Sequence, residues 1–236
     1  MKLVLIGGGE IGRGTTEYET KEIDEEIVKM ANKEEPNFLF IGLASSFADS
    51  YYDYVKKIYK DFGCKTVYLK KKNVINNPDI VKNKINEADI IYIGGGDTIK
   101  LMDTLKEYEI DKLLIEAAKR DCVIAGISAG AIALVKEGFS DSLILRKESD
   151  KHTFIKGLGI KNISISPHYH KDETKDKELQ ESIKNKTVYG IENCTALKIV
   201  NDNISVIKSK KEANIYKCSY KDKFIEEKLW KKQKKY

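Results

Sequence analysis

Short apolar runs alternate with amphipathic helical patterns through the first 137 residues of the chain. The runs lie at residues 2–7, 38–41, 65–69, 90–93 and 122–125. Apolar residues three and four positions apart occupy the stretches between them, which is the spacing of one helix face. Parallel strands need such long crossovers, so this alternation predicts a sheet with helices on both faces. We expect an α/β fold, a three-layer sandwich with a mostly parallel central sheet, and a single domain over residues 1–236.

Glycine-rich segments follow three of these runs, at Gly7–Gly9, Gly94–Gly96 and Gly126–Gly130. In an open parallel sheet the crevice that binds ligands lies beyond the carboxyl ends of the strands, so we expect the three segments to meet there. The spacing Gly7-x-Gly9-x-x-Gly12 also matches the dinucleotide fingerprint. A nucleotide site is the weaker interpretation, because no helical pattern starts directly after the glycines and the next strand has no acidic residue at its end.

The composition of the chain argues against nucleic-acid binding, a zinc site, a disulfide framework and a membrane span. The net charge is +5, but residues 221–236 hold seven lysines against three acidic residues, which accounts for four of these charges. With only three arginines, nucleic acid is not an expected partner. Four cysteines without any C-x-x-C spacing indicate neither a zinc site nor a disulfide framework. No apolar run approaches the roughly 20 residues that a bilayer requires, so we expect a cytoplasmic protein that does not bind membranes.

The segment around Ser128 predicts a nucleophile. An apolar strand runs into Gly126-Ile127-Ser128-Ala129-Gly130, and a helical pattern follows at once. Strand, one-residue turn and helix form the nucleophile elbow, in which a serine hydroxyl projects from the sheet edge. The N–H of Ala129, with an N–H from Gly95 or Gly96, can then hold an oxyanion, as acyl transfer requires. The alternative is a tightly packed Gly/Ala-rich turn with only a structural role.

A serine nucleophile needs a base, and the chain has three histidines. His168 follows the apolar strand ending at Pro167 and is the expected base. His170, two residues on, can substitute for it or line the pocket, whereas His152 lies in a polar run and is expected at the surface. For the carboxylate that orients the base, Glu192 is favoured because it ends an apolar strand, and Asp141 remains the alternative.

Beyond Pro167 the pattern changes to a polar helix over 173–184 and several short strands. The strands lie near 188–191, 195–200, 204–208 and 213–219, which predicts β-hairpin additions to the sheet. A charged helix carrying Phe224, Ile225, Leu229 and Trp230 is expected to close the chain.

Four motifs in this order resemble the aspartyl dipeptidase (peptidase E) family of serine peptidases. They are Gly94-Gly95-Gly96-Asp97-Thr98, Gly126-Ile127-Ser128-Ala129-Gly130-Ala131, Ser166-Pro167-His168-Tyr169 and Gly190-Ile191-Glu192. The resemblance covers about residues 1–210 and implies the class I glutamine amidotransferase-like fold. It also implies a Ser-His-Glu triad at Ser128, His168 and Glu192, no metal or other cofactor, and hydrolysis of a small peptide through an acyl-enzyme.

Two departures from the family pattern bear on the substrate and on the acid. The family has an arginine, thought to bind the substrate's aspartyl carboxylate, where this chain has Lys175, which keeps the charge but loses the bidentate fork. Ile191 and Asn193 flank Glu192 in place of proline and glycine, so a displacement of the acid by one residue stays open.

Lys175, His170 and Asp97 are the residues expected to contact the substrate, although Asp97 equally suits a helix cap. The expected assembly is a monomer or homodimer. The alternative function is a non-catalytic binding or regulatory member of the same fold.

Overall fold

A computed structural model describes residues 1–229 of the chain, which form two β-sheets and nine helices in that range. The strands are β1 (Lys2–Ile6), β2 (Asn37–Ile41), β3 (Lys65–Leu69), β4 (Ile90–Ile93), β5 (Val123–Ile127), β6 (Val135–Ser140), β7 (Thr153–Lys156), β8 (Lys161–Pro167), β9 (Thr187–Ile191), β10 (Thr195–Val200), β11 (Asn203–Lys208), β12 (Ile215–Tyr220) and β13 (Phe224–Lys228). The helices are α1 (Lys21–Ala31), α2 (Ala48–Asp61), α3 (Lys71–Asn76), α4 (Pro78–Glu87), α5 (Thr98–Glu107), α6 (Ile110–Lys119), α7 (Ala129–Leu134), α8 (Ser142–Leu145) and α9 (Glu173–Ser182).

The larger sheet has seven strands in the order β11-β10-β1-β5-β4-β2-β3. The strands β1 to β5 pair in parallel, which confirms the mostly parallel central sheet, and β10 and β11 extend it as an antiparallel hairpin. Ile127 lies opposite Ile6, and Gly126 lies opposite Ile93. The carboxyl ends of β1, β4 and β5 therefore bring the three glycine-rich segments to one edge of the sheet.

The smaller sheet has six strands in the order β13-β12-β9-β8-β6-β7, and the sequence did not predict it as a separate sheet. Its strands β6 and β7 were missed. The helix after the elbow ends at Leu134, and β6 begins at the next residue. The apolar residues of that helix run directly into those of the strand, so the sequence shows no break between the two periods.

The prediction of a helix at the end of the chain is wrong for the residues of it that the structure describes. Residues 224–228 form β13, which pairs antiparallel with β12 and places Phe224 opposite Tyr220. The apolar side chains of this segment have the spacing of a helix, but its backbone can pair with the free edge of β12. This tertiary contact decides its conformation. Trp230 and the residues after it lie outside the described part of the chain.

Both faces of the larger sheet are buried. Leu3 and Leu5 of β1 face a core that α4 to α7 and the smaller sheet cover. Val4 and Ile6 face the opposite core, under α1 and α2. Since successive side chains of a strand point to opposite faces, apolar runs without polar alternation are what a doubly covered sheet requires. The helices in residues 1–229 are all too short or too polar to cross a lipid bilayer.

Candidate active site

Ser128 occupies the sharp turn between β5 and α7. Its backbone has φ 54° and ψ −114°, a conformation that non-glycine residues seldom adopt. The Ser128 N–H donates to Ile6 O at 3.0 Å, which ties the turn to the end of β1. Strained backbone of this kind persists where the surroundings enforce it and is concentrated at functional sites.

Gly126 and Gly130 are steric requirements of this turn. A Cβ atom on Gly130 would lie 2.1 Å from Ile93 O, and one on Gly126 would lie 2.3 Å from the carbonyl carbon of Gly130. Helix α7 could not pack this closely on β4 and β5 if either residue carried a side chain. The Gly-x-Ser-x-Gly pattern therefore has a local physical cause.

The structure brings His168 and Ser128 together. His168 directly follows β8, and its Nε2 lies 2.9 Å from Ser128 Oγ. The backbone N–H of His168 donates to Gly7 O at 3.0 Å, and the residue has a positive φ of 53°. The imidazole is thus held by the end of β1, beside the strand that carries the serine.

Asn193 is the second partner of the imidazole. Its Oδ1 lies 2.7 Å from His168 Nδ1. An amide oxygen can only accept, so Nδ1 carries the proton and Nε2 is left free to accept the hydrogen bond from the Ser128 hydroxyl. This is the tautomer that a general base acting on serine needs.

The expected contact between Glu192 and His168 is not made. The Glu192 carboxylate instead accepts from the backbone N–H of Asn214 at 2.6 Å, on the side toward β12. The chain turns at Asn193 and Cys194 after β9 ends, and in this turn Asn193 reaches the histidine while Glu192 points toward Asn214. The flanking sequence left open a displacement of the acid by one residue; the residue that contacts the histidine is the next one in the chain, but it is an amide and not an acid.

Asp141, the alternative acid, does not take that position either. It precedes α8 and lines a cavity next to Ser128, but within residues 1–229 no hydrogen bond joins it to His168. Its charge nevertheless acts on the imidazole, where it favours the protonated form.

The glycine segment after β1 holds the histidine and the asparagine in place. Gly7 O accepts from the His168 N–H, and Gly8 O accepts from the Cys194 N–H at 2.9 Å. A Cβ atom on Gly8 would lie 2.3 Å from Asn193 Oδ1 and 2.4 Å from the His168 ring. These glycines, which match a dinucleotide fingerprint in sequence, thus allow the contact between the two side chains.

The candidate oxyanion-hole residues lie beside the serine. A Cβ atom on Gly95 would lie 3.3 Å from Ser128 Cβ, and Gly96 lines the cavities on both sides of the hydroxyl. Ala129 is the first residue of α7, where a backbone N–H has no partner inside its own helix. Amide groups from two strand ends are therefore near the position where an oxyanion would form.

Burial lowers the pKa of the His168 imidazole below its usual value. The hydrogen bond to Asn193 opposes this effect, while the positive charges of Lys175 and Lys171 add to it. The imidazole is consequently neutral at neutral pH, as a base that must accept a proton has to be.

Two cavities meet at Ser128 and His168, and both also reach Gly96 and Lys171. The first, of about 380 Å³, is called the aromatic cavity because Phe40, Phe47 and Tyr51 line it. The second, of about 700 Å³, is called the polar cavity. Its polar lining includes Thr98, Ser140, Asp141, His152, Glu173 and Lys175. A chain lying across the hydroxyl would therefore enter a different environment on each side.

The three expected substrate contacts have different outcomes. Lys175 lines the polar cavity and is only 7% exposed; its Nζ donates to Pro167 O at 2.6 Å. Burial lowers the pKa of this ammonium to about 8, although nearby carboxylates, that of Asp141 first, oppose the effect.

Asp97 and His170 lie away from the two cavities. Asp97 caps α5 by accepting from two backbone N–H groups, and its other carboxylate oxygen pairs with Arg146 at 3.0 Å. It is the helix cap that the sequence allowed. His170 bonds Asp176 at 3.1 Å and Glu226 at 3.4 Å, so its ring faces β13 rather than the serine.

Sequence reasoning missed two features of the site. His152 was expected at the surface, but its side chain is 10% exposed, bonds Glu178 at 2.8 Å and lines the polar cavity. Asn193 was not considered, although it follows Glu192 directly. The only sequence feature pointing to it was that Glu192 lacks the proline before it and the glycine after it that the family has.

Known proteins resemble this chain over most of its length. The sequence model of peptidase family S51 matches residues 3–207. The chain is 30% identical over 223 residues to the uncharacterized peptidase YgaJ of Bacillus subtilis, covering 92% of each chain. It is 25% identical over 146 residues to peptidase E of Streptomyces coelicolor, covering 57% of this chain and 58% of that one.

Solved structures share the fold. The crystal structure of a peptidase from an acI-B1 Actinobacterium matches with a TM-score of 0.74 at 22% identity, covering 98% of this chain and 95% of that one. A putative peptidase E protein from Listeria monocytogenes matches with a TM-score of 0.67 at 21% identity, covering 88% and 98%. At these identities the likeness concerns the arrangement of the chain alone.

Proposed function

Because the chain belongs to peptidase family S51 and is therefore a peptidase, we propose that it is a serine-type enzyme that hydrolyses short peptides. The observation that supports this most is the 2.9 Å contact between Ser128 Oγ and His168 Nε2 on a strained elbow. Nucleophile and base within hydrogen-bond reach, with the base oriented by a third group, are the features that identify such chemistry.

Acylation follows from these contacts. His168 Nε2 takes the proton of the Ser128 hydroxyl as Oγ attacks the scissile carbonyl carbon. The N–H of Ala129 and an N–H from Gly95 or Gly96 stabilise the oxyanion. The carbon–nitrogen bond then breaks, and the imidazolium gives its proton to the departing amine.

Deacylation repeats the same steps with water. His168 takes a proton from a water molecule, whose oxygen attacks the ester carbonyl of the acylated Ser128. The serine leaves with the proton from the imidazolium, and the free acid is released. Asn193 acts in both halves as a positioning residue, because its amide oxygen fixes the tautomer of the base.

The polar cavity supports an acidic residue on the acyl side of the scissile bond. Lys175 supplies a buried cation there, and its bond to Pro167 O uses only one of its three N–H groups. Asp141, in the same cavity, can pair with a free α-amino group. Together they favour dipeptides with an N-terminal aspartate, although lysine gives a less directional contact than arginine would.

The test combines hydrolysis with covalent labelling. We expect the wild-type protein to release the amine from aspartyl dipeptides and to be labelled by a fluorophosphonate, and Ser128→Ala to do neither. Ser182→Ala, which removes a serine at the last position of α9 that lines neither cavity, is the matched control and should behave as wild type. Unchanged hydrolysis by Ser128→Ala would contradict the nucleophile, and no labelling or turnover in wild type would indicate a binding protein instead.

A further inference from the structure

The aromatic cavity has an exposed ring at its rim. Phe47 lies in the turn before α2 and is 76% exposed, which makes it the most exposed large apolar side chain in the described residues. Phe40 and Tyr51 also line the cavity and contact each other, with ring centroids 5.7 Å apart and ring planes tilted by 33°. An apolar surface that opens beside a nucleophile indicates a binding surface rather than part of the core.

The backbone holds Phe47 in this position. Its N–H donates to Ser45 Oγ at 3.1 Å, and its carbonyl accepts from Tyr51 N at 3.1 Å and from Ser50 Oγ at 3.0 Å. The turn is thus fixed at both ends while the ring projects outward. Because the backbone is already held, a ligand that packs on this ring does not have to pay for ordering the turn.

Positive charge at the junction of the cavities is available to a ligand. Arg13 is paired with Glu10 at 2.9 Å, and Glu19 is paired with Lys210 at 2.6 Å. Lys171 differs from them, since no ion pair within residues 1–229 involves it, and it lines both cavities beside Ser128. A carboxylate that enters the aromatic cavity can therefore meet a cation that is not already neutralised.

We propose that the aromatic cavity is the subsite for the leaving residue of the dipeptide and selects a large apolar or aromatic side chain there. This inference rests on the proposed function: with the acidic residue in the polar cavity, the residue across the scissile bond lies in the cavity that shares Ser128 and His168. The side chain of that residue packs on Phe47, and its free carboxylate pairs with Lys171.

The test compares aspartyl dipeptides that differ only in the second residue. We expect kcat/KM for Asp-Phe to exceed that for Asp-Ala about tenfold, in the range that a hydrophobic pocket gives. Phe47→Ser should reduce this ratio to about threefold or less, whereas the control Ile75→Ser, which removes an exposed apolar side chain on α3, should leave it unchanged. A wild-type ratio near one, or a ratio that Phe47→Ser does not change, would overturn the proposal.

The carboxylate contact has its own readout. Asp-Phe amide lacks the free carboxylate, so its kcat/KM should fall several-fold below that of Asp-Phe in wild type, and Lys171→Met should remove most of the difference. An amide cleaved as well as the acid by the wild-type protein would exclude the role of Lys171.

Binding to Ser128→Ala separates this proposal from the proposed function. Calorimetric titration of that variant should give tighter binding of Asp-Phe than of Asp-Ala. Selective binding without any cleavage by wild type would retain the subsite and refute the peptidase assignment. Cleavage without selectivity, in rate or in affinity, would retain the peptidase assignment and refute the subsite.

Discussion

Replacing Asn193 by aspartate puts a carboxylate where an amide oxygen now accepts from His168 Nδ1 at 2.7 Å. The two side chains have nearly the same shape, so the geometry should survive and the charge should change. In the wild-type protein burial lowers the pKa of His168, and no carboxylate among residues 1–229 forms a hydrogen bond with the ring. The variant tests whether this uncharged partner sets the pH at which the base becomes active.

The size of the effect follows from the distance. The centres of an imidazolium and a carboxylate in such a contact lie about 4 Å apart, where an effective dielectric constant of about 20 gives an attraction of about 4 kcal/mol. This corresponds to about three pK units, and the desolvation of the new carboxylate reduces it. We therefore expect the pKa of His168 to rise by about one to three units.

The assay is the pH profile of kcat/KM, whose acid limb reports the pKa of the base in the free enzyme. For the wild-type protein this limb should lie below the ordinary histidine value of about 6.5. For Asn193→Asp it should move upward, so that the activity relative to wild type at the same pH is greatly reduced at pH 6 and approaches the wild-type value at high pH. Asn193→Ala should lower kcat at every pH without that upward shift, because no acceptor then holds the ring.

Glu192→Gln is the matched control, since glutamine can still accept the bond from the backbone of Asn214. We expect its profile to overlay that of wild type. An unshifted acid limb in Asn193→Asp, together with a hundredfold or greater loss in Glu192→Gln, would refute the assignment and identify the glutamate as the orienting group.

Three further outcomes follow from other contacts of the site and core. Gly8→Ala should lower kcat by about a hundredfold with a smaller effect on thermal stability, because its Cβ would overlap Asn193 and His168; kinetics and a melting curve check this. The preference for Asp-Leu over Ala-Leu should decline as pH rises through about 8, where the Lys175 ammonium is lost, and Lys175→Met should abolish the decline. Burial raises the pKa of Asp24 from 3.8 to about 6, so its stabilising contribution is present below pH 3.8 and lost as pH rises through 6. The free energy of unfolding of wild type should fall relative to Asp24→Asn by about 2 kcal/mol between pH 4 and 7, as measured by denaturant titration.

The sequence predicted those parts of the site that depend on local sterics. The elbow at Ser128 needs glycine at two fixed positions, and both are visible in five consecutive residues. His168 could be found because it directly follows an apolar strand, although that strand, β8, belongs to the smaller sheet and not to the sheet that carries Ser128. Such features do not require knowledge of how distant segments pack.

The group that orients the base could not be predicted in the same way. Whether residue 192 or 193 faces the histidine depends on where β9 ends and on how the chain crosses to β10. A shift of one residue reverses every side chain, and nothing local fixes that register. Strand β13 was missed for a related reason, because its pairing partner, β12, decides its conformation.

The proposed nucleophile and the proposed base belong to different sheets. Ser128 ends a strand of the seven-stranded sheet, His168 ends a strand of the six-stranded one, and Asn193 lies in the link from the second to the first. Loosening either sheet against the other would part nucleophile from base before much of the hydrogen-bonded backbone is lost. Enzymatic activity therefore depends on the packing of the two sheets against each other. It should be lost at lower urea concentrations than the helical circular dichroism signal.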